Sequence, residues 1–423
     1  MKPESMNLSL FDLVRCFASA MDLVSSVVGE HQRRVSCIAY RLASEMGLSE
    51  KDQEDVSLAG AMHDCGVFSL QEKLALMSAD SDLPNIHRHA EIGYRALKKF
   101  PAFERFALII RYHHLPWHNG AGAEKNGERV PIESHIIHLA DRIDTFINRK
   151  EYIIGQTDDI LRRVQERSDD FAPQALAAFD SLQHREFFWL DVVHGAPSPV
   201  FDPSMRSSDR SLGLSDLEVI SRVFCQLMDF RSHFTATHSS GVAATAEALA
   251  RLCGFSDVEC QVMRVAGQLH DLGKFAIPVE LLEKPAHLTD EEFRLIRSHT
   301  YHTNRILKTI PELNVVNAWG SLHHEKLNGR GYPFHMDDLE LSEGSRIMAV
   351  ADVFTALTED RPYRKGMTRQ GTLDIMKRMA HDGALDQNIL ETLERHFEFL
   401  ESIRIKAQEA EAMAYYDVSQ VQN

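Results

Sequence analysis

A chain of 423 residues with 44% hydrophobic and 26% charged side chains has the composition of a soluble globular protein with two or three domains. The formal net charge of −16 argues against a surface that binds nucleic-acid polymers or anionic membranes, because both need clustered Lys and Arg, although a small anionic ligand remains compatible with it. No apolar run reaches the roughly 18 residues of a membrane span, the N-terminus lacks a signal-like pattern and the cysteines form no CxxC pair, so a cytoplasmic protein with reduced thiols is expected.

The predicted elements, taken in chain order, are helical wherever a clear period can be read. Residues 31–49, HQRRVSCIAYRLASEMGLS, carry apolar side chains at helical spacing behind His31, and residues 238–256, HSSGVAATAEALARLCGFS, repeat this pattern behind His238. Gly47 and Gly254 are expected to end these helices, because glycine adopts the left-handed conformation of a helix C-terminus without strain. No segment alternates convincingly between apolar and polar residues, so the fold class is predicted to be all-α.

An internal repeat relates the two halves of the chain. A shift of 207 positions, with small changes of register further on, brings residues of the same type into the same order. The matched residues are His31 with His238, His63-Asp64 with His270-Asp271, His89 with His299, His113-His114 with His323-His324, and Asp141 with Asp352. Residues 194–216, which are rich in Pro, Ser and Gly, are the predicted boundary between a domain at 1–200 and a domain at 201–423.

Histidines and aspartates of the second half form a set that suggests a metal site. Imidazole and carboxylate are natural ligands of iron, manganese and zinc, and the set is too large for one ion and suits two. Its members are His238, His270, Asp271, His299, His323, His324 and Asp352. Asp271 is the best candidate for a bridging ligand, since its two oxygens can reach two ions. The alternative is a group of buried histidines with structural roles, but recurrence of the same types in matched order favours the metal interpretation.

Five motifs carry a resemblance to a known family. In order they are HDLGKFAIPVELLEKPAHLTDEEF, HTYHTNRIL, HHEKLNGRGYP, RIMAVADVFTAL and RPYRKG, within residues 220–400. This stretch resembles the HD-GYP family of metal-dependent phosphohydrolases, and the first half resembles an HD domain without the Gly-Tyr-Pro loop. Together the two halves are similar to the Vibrio-type phosphodiesterases that cleave 3′3′-cGAMP. The resemblance implies two tandem HD-type helical bundles and a phosphodiesterase that hydrolyses a cyclic dinucleotide, 3′3′-cGAMP or c-di-GMP, to the linear dinucleotide.

The resemblance also implies roles for individual residues. One metal ion would be held by His238, His270, Asp271 and Asp352, and a second by Asp271, His299, His323 and His324, with Fe(II) or Mn(II) expected. Asp271 and Lys274 would act in catalysis, and substrate would be bound by Lys274, Tyr332, Arg361 and Arg364. Some family members carry a carboxylate that supports a third metal where this chain has Phe234, so two metals are expected. Thr355 stands where the pattern commonly has Asp, a departure that bears on proton transfer at this position.

The first half keeps the ligand types and loses the residues that handle phosphate. The ligand types occur at His31, His63, Asp64, His89, His113, His114 and Asp141. Val67 stands where the second half has Lys274, and LPWHNGAG replaces the Gly-Tyr-Pro loop. Two interpretations are favoured: a metal-binding unit of weak or regulatory activity, or a metal-free scaffold that packs on the active half. Independent catalysis by the first half is the remaining alternative.

Alternative functions for the whole chain are an HD-type hydrolase of mononucleotides and a catalytically weak module that binds nucleotides. The Gly-Tyr-Pro and Arg-Pro-Tyr-Arg segments argue against the first, and the complete ligand set with Lys274 argues against the second. A homodimer is compatible with the sequence.

Overall fold

A computed structural model of the chain describes residues 8–24, 29–67, 86–195, 197–208, 210–229, 231, 237–284, 286–360 and 365–419. The contacts divide it into two compact units, residues 9–210 and residues 211–419, which we call the N-unit and the C-unit. Each unit has its own core of buried aliphatic and aromatic side chains.

The N-unit is a helical bundle with one short hairpin. Strand β1 (Leu8–Ser9) comes immediately before its first helix. The helices are α1 (Leu10–Met21), α2 (His31–Glu45), α3 (Glu50–Met62), α4 (Ile86–Leu97), α5 (Glu104–Arg111), α6 (Ile132–Phe146), α7 (Thr157–Glu166), α8 (Pro173–Gln183) and α9 (Glu186–His194). Strands β2 (Glu124–Lys125) and β3 (Glu128–Arg129) pair antiparallel between α5 and α6. Helix α2 packs against α3 and α6 and so lies in the middle of the bundle.

The C-unit repeats this arrangement and extends it. It begins with strand β4 (Ser211–Leu212). The helices are α10 (Leu214–Asp229), α11 (His238–Leu252), α12 (Asp257–Leu269), α13 (Val279–Leu282), α14 (Asp290–Leu307), α15 (Asn314–Ser321), α16 (Glu343–Thr358), α17 (Arg369–His381), α18 (Gln387–Arg395) and α19 (Phe397–Ser419). Helix α11 is central, because it packs against α12, α16 and the long C-terminal helix α19.

Local sequence signals explain where the helices of the site begin and end. Ser256 and Glu259 form a capping box at the start of α12, and Thr289 and Glu292 form another at the start of α14, so that orphan backbone N–H groups are satisfied. Gly254 follows α11 with a φ of +93°, as Gly47 follows α2 with a φ of +70°. The predicted glycine termini of both matched helices are therefore confirmed.

A glycine on α12 allows it to approach α11 closely. A Cβ atom on Gly267 would lie 2.5 Å from the Cα of Ala243, and one on Gly60 of α3 would lie 2.9 Å from the Cα of Ser36 on α2. The repeated glycine therefore has a packing role, because it lets two helix backbones cross without a side chain between them.

The all-α fold class is confirmed, since the strands of the described residues are only two residues long. Within those same residues, no helix is both long enough and apolar enough to cross a bilayer.

Candidate metal centre

The predicted ligands of the C-unit come from the ends and inner faces of five helices. His238 is the first residue of α11, and His270 and Asp271 follow the last residue of α12. His299 lies within α14, His323 and His324 follow α15, and Asp352 lies within α16. These five helices thus direct polar side chains toward one interior point, where all except the partly exposed His324 are buried.

Asp271 lies in the middle of this cluster. Its Oδ1 atom lies 3.3 Å from Nε2 of His299 and 4.0 Å from Nε2 of His323, while its Oδ2 atom lies 3.1 Å from Nε2 of His270. The two oxygens face different imidazoles, which is the position of a carboxylate shared between two groups of ligands. Two such groups, each with ligand atoms within 4.8 Å of one another, are His238, His270 and Asp352, and His299, His323 and His324.

Three of the imidazoles are oriented by their own helices. His270, His299 and His323 each donate the Nδ1 hydrogen to the backbone carbonyl three residues earlier, at 2.7, 2.5 and 2.7 Å. With Nδ1 engaged in this way, Nε2 is the atom that points into the cluster. Such contacts set the tautomer and direction of histidines that bind metals.

His238 is oriented by a carboxylate instead of a carbonyl. Its Nδ1 atom lies 3.0 Å from Oε2 of Glu359, and its Nε2 atom lies 3.1 Å from Oδ1 of Asp352. Burial by itself lowers the pKa of an imidazole, but Glu359 and Asp352 together raise the pKa of His238 to about 10. Although burial opposes ionisation of Asp352, the hydrogen bond from His238 and the nearby imidazoles hold the pKa of this carboxyl well below its ordinary value.

The adjacent histidines are neutral. Burial and the neighbouring imidazoles hold the pKa of His323 well below its ordinary value, and burial lowers the pKa of His324 to about 3. A neutral imidazole keeps a lone pair on one nitrogen, which is the form that binds a metal ion.

Lys274 places a cation directly against the central carboxylate. It lies in the 3₁₀ turn Leu272–Ala276, and its ammonium group contacts Oδ2 of Asp271. Although burial opposes its charge, Asp271 raises the pKa of Lys274, so the side chain is protonated at neutral pH. Burial similarly opposes ionisation of Asp271, but His270 and Lys274 hold its pKa well below the ordinary range.

The Gly-Tyr-Pro segment forms a loop next to the cluster. A Cβ atom on Gly331 would lie 2.4 Å from the Cα of Glu325, so glycine is needed for the loop to fold back on the chain. The backbone N–H of Tyr332 donates to the carbonyl of His324 at 3.2 Å, and the two rings lie 4.9 Å apart. The guanidinium of Arg297 lies 4.4 Å from the centre of the Tyr332 ring. Arg361, Arg364 and Phe234 lie outside the described residues.

The residues present fit divalent metal ions. Nε2 of His270 is buried and lies 3.1 Å from Oδ2 of Asp271 without a hydrogen bond between them, because the ring hydrogen is on Nδ1, and Nε2 of His299 lies 3.5 Å from Nε2 of His323. Two imidazole nitrogens that face each other at this distance match the spacing of about 3.4 Å between nitrogens on a tetrahedral metal with bonds of about 2.1 Å. Imidazoles with carboxylates suit iron, manganese or zinc.

The N-unit contains a second cluster of the same kind. The seven predicted residues, all buried, are His31, His63, Asp64, His89, His113, His114 and Asp141. Asp64 occupies the centre, with its Oδ2 atom 3.4 Å from Nε2 of both His31 and His63 and its Oδ1 atom 3.5 Å from Nε2 of His89. Nε2 of His89 also lies 3.3 and 3.1 Å from the Nε2 atoms of the adjacent histidine pair. The arrangement suits metal ions for the same geometric reason.

The two clusters differ in the cations beside them. The N–H of Val67 donates to the carbonyl of Asp64 at 2.9 Å, as the N–H of Lys274 donates to the carbonyl of Asp271 at 2.8 Å. The backbone turn is therefore shared, and the residue that closes it carries an apolar side chain, Val67, in the N-unit and an ammonium group, Lys274, in the C-unit. The buried guanidinium of Arg142 instead donates to Oδ2 of Asp141 at 2.7 Å.

Sequence reasoning missed the carboxylates that orient the first histidine of each cluster. Asp144 accepts a hydrogen bond from Nδ1 of His31 at 2.7 Å, and Glu359 does the same for His238 at 3.0 Å. The available signal was an acidic residue near the end of the last matched helix: Asp144 lies three positions after Asp141, and Glu359 lies seven positions after Asp352 and directly follows the helix.

Comparison with known proteins places both halves in one family. The family model described as HD domain matches residues 28–145, and another with the same description matches residues 222–389. The chain is 30% identical to the 3′3′-cGAMP-specific phosphodiesterase 1 of Vibrio cholerae over 402 residues, which covers 92% of each protein. It is 26% identical to the 3′3′-cGAMP-specific phosphodiesterase 3 of that organism over 92% of this chain and 95% of the relative.

Other similarities cover part of the chain or concern the fold alone. A cyclic di-GMP phosphodiesterase of Pseudomonas aeruginosa is 38% identical over 158 residues, which is 37% of each chain. The crystal structure of a cyclic GMP-AMP specific phosphodiesterase from Vibrio cholerae superimposes with a TM-score of 0.62 at 24% identity, over 93% of this chain and 98% of that one. The tandem architecture inferred from the repeat is confirmed by the two HD-domain matches and by the relatives that cover more than 90% of this chain.

Proposed function

The chain belongs to the HD-domain family that includes the 3′3′-cGAMP-specific phosphodiesterases of Vibrio cholerae, and on this premise we propose that it hydrolyses a cyclic dinucleotide to the linear dinucleotide. The observation that carries the proposal is the position of Lys274. A half-buried cation touches the central carboxylate of a cluster of histidines and aspartates, next to the loop of Tyr332. An anionic phosphodiester that reacts at this cluster needs positive charge close to its oxygens. Lys274 provides such a charge, whereas the acidic surface of the protein does not.

Divalent metal ions at this cluster, for which Fe(II) or Mn(II) is proposed, would supply charge that polarises the phosphodiester and acidifies the attacking water. The residues of the chain have separate tasks around that chemistry. Asp271 is kept ionised by His270 and Lys274 and so stays available as a ligand. Lys274 is placed to offset charge on a phosphate oxygen or to give a proton to the leaving 3′-oxygen. Tyr332, whose ring lies 4.9 Å from that of His324, is proposed to contact the substrate.

The proposed substrate is 3′3′-cGAMP in the first place and c-di-GMP in the second. The two relatives that match over 92% of this chain carry the first name, whereas the Pseudomonas relative named for cyclic di-GMP matches 37% of it. Arg361 and Arg364 are proposed to hold the phosphates, because guanidinium forks bind them in a bidentate manner. A cytoplasmic site of action and a homodimer remain predictions from the sequence.

We also propose that hydrolysis belongs to the domain at 201–423 and that the domain at 1–200 binds metal without comparable turnover. Val67 leaves Asp64 without the ammonium group that Lys274 brings to Asp271, and Arg142 pairs with a candidate ligand, Asp141. A metal-free scaffold is the competing interpretation. The metal content of the purified protein with and without Asp64→Ala separates the two.

The proposed activity is tested with the purified full-length protein loaded with Fe(II) or Mn(II). It is offered 3′3′-cGAMP, c-di-GMP, c-di-AMP and mononucleotides, and the products are resolved by chromatography. Formation of a linear dinucleotide that disappears in Asp271→Ala supports the proposal. Hydrolysis of mononucleotides alone, or no product from any cyclic dinucleotide, would refute it.

A further inference from the structure

The carboxylate that orients the first histidine occupies a different sequence position in the two units. In the N-unit it is Asp144, three residues after Asp141 on α6, and it accepts a hydrogen bond from Nδ1 of His31 at 2.7 Å. In the C-unit it is Glu359, seven residues after Asp352, and its Oε2 atom lies 3.0 Å from Nδ1 of His238. Glu359 directly follows the last residue of α16, and its N–H still donates to the carbonyl of Thr355 at 3.0 Å, so both carboxylates approach their histidine from the C-terminal side of the matched aspartate.

The position matched to Asp144 is Thr355 in the C-unit. Its side chain is fully buried, and its Oγ1 atom has no hydrogen-bond partner in the part of the chain that the structure describes. A buried hydroxyl without a partner contributes nothing polar to the centre. The function that Asp144 performs in the N-unit is therefore absent from position 355 and present at position 359.

The group that supports the carboxylate has changed with it. In the N-unit the buried guanidinium of Arg34, one turn after His31, donates through Nη2 to Oδ2 of Asp144 at 3.3 Å and also contacts the other oxygen. The repeat places Gly241 at the position of Arg34. A Cβ atom on Gly241 would lie 3.0 Å from Nε2 of Gln408, so the space beside α11 is filled by a side chain from α19.

Gln408 takes over the role of the missing arginine. Its Nε2 atom donates to Oε2 of Glu359 at 3.1 Å, and Arg404, one turn earlier on α19, contacts its Oε1 atom. The C-unit thus has Thr355 and Gly241 where the N-unit has Asp144 and Arg34, and within the same C-unit Glu359 and Gln408 supply the carboxylate and its hydrogen-bond donor. The exchange preserves the hydrogen bond to Nδ1 of His238.

We propose that Glu359, held by Gln408 of the C-terminal helix, is the positioning residue that directs His238 toward a metal ion in the C-unit. Only the expected effect of Glu359 on turnover rests on the proposed function. Its effect on metal affinity does not, because the orientation of a metal ligand changes metal affinity directly. Loss of such a partner typically weakens metal binding by about 10- to 100-fold. Because Glu359 contacts a predicted metal ligand, His238, the effect on turnover is expected to follow metal occupancy.

The experiment compares full-length wild-type protein with Glu359→Ala, Glu359→Gln, the double variant Thr355→Asp/Glu359→Ala, and Asp374→Ala. Asp374 is an exposed carboxylate on α17 that bonds Gln370, and it serves as the matched control. Mn(II) affinity is measured by competition with a fluorescent chelator, and melting of the metal-free proteins reports folding. The N-unit contributes equally to every sample.

The expected result is a loss of Mn(II) affinity of about 10- to 100-fold in Glu359→Ala, with a smaller loss in Glu359→Gln, which keeps an acceptor for the Nδ1 hydrogen. The double variant should recover affinity to within about threefold of wild type, because Asp at position 355 restores the arrangement of the N-unit. Each metal-free variant should show a cooperative melting transition, and Glu359→Ala should melt below Asp374→Ala because Gln408 and the buried His238 lose their acceptor.

Unchanged affinity in Glu359→Ala would overturn the assignment, and so would a loss that Thr355→Asp fails to reverse. If Glu359→Ala fails to fold, the affinity of Glu359→Gln and of the double variant decides the question by the same criteria. Absence of cyclic dinucleotide hydrolysis by the wild-type protein would refute the proposed function. The role of Glu359 would still be decided by the Mn(II) affinities of the variants.

Discussion

Replacing Lys274 with Met removes the cation beside Asp271 while keeping the length and apolar stem of the side chain. Opposite unit charges about 4 Å apart in a site of effective dielectric constant about 20 interact by about 4 kcal/mol, which corresponds to about a thousandfold in rate. Contact with Asp271 already neutralises part of the charge of Lys274. The expected fall in kcat is therefore about 100- to 1000-fold, the range typical of losing one group that stabilises charge in a transition state.

The assay measures initial rates of linear dinucleotide formation together with the Mn(II) content of each sample. Lys274→Met should keep its metal, because an ammonium group is not a ligand, whereas Lys274→Arg should retain part of the activity. Lys284→Met is the control, since Lys284 pairs with Glu292 on α14 and not with the cluster. A kcat within threefold of wild type would refute the reasoning. Loss of Mn(II) from Lys274→Met would show that Lys274 supports the metal centre and not the substrate.

Three further outcomes are expected. Asp271→Ala should abolish cyclic dinucleotide hydrolysis, whereas Asp64→Ala should leave it largely intact. Equal losses of hydrolysis in both variants, measured by the same chromatographic assay, would mean that the N-unit takes part in catalysis. Gly273→Ala should lower the melting temperature and the activity together, because the added Cβ would lie 1.9 Å from the carbonyl oxygen of His299. The melting temperature is measured by calorimetry of the metal-free protein, and an unchanged value would contradict this prediction. Burial raises the pKa of the Asp229 carboxyl to about 7, so the folded protein holds a proton there that the unfolded chain has released above about pH 4. The stabilisation that this group contributes is therefore present at low pH and is lost as pH rises through 7. In urea unfolding, the free energy of unfolding of Asp229→Asn should rise relative to that of wild type by up to about 4 kcal/mol between pH 4 and pH 8. A difference that stays constant over this range would contradict the raised pKa.

Much of the candidate site could be predicted because its elements are repeated and local. The helices that begin at His31 and His238 follow from the 3.6-residue period, and their ends follow from Gly47 and Gly254. The ligand-type residues follow from their recurrence in matched order. All these features depend on spacing along the chain, which is visible without coordinates.

The residues around the ligands could not be predicted in the same way. Asp229 and Arg297 approach Lys274 and Tyr332 through tertiary packing, and no local pattern marks them. The sequence showed that Thr355 departs from the resemblance, but it did not show what replaces the missing carboxylate.

The sequence by itself therefore determined the all-α class, the duplication and the order of the ligand types, because each depends on residue type and periodicity. Only the tertiary structure decided how the first histidine of the C-unit is oriented. Glu359 can reach His238 because it caps the C-terminal end of α16, seven residues after Asp352, and Gln408 can support it because Gly241 leaves space between α11 and α19. That space depends on two helices far apart in the chain packing against each other, and hydrogen bonds between such segments are fixed only when the bundle has formed.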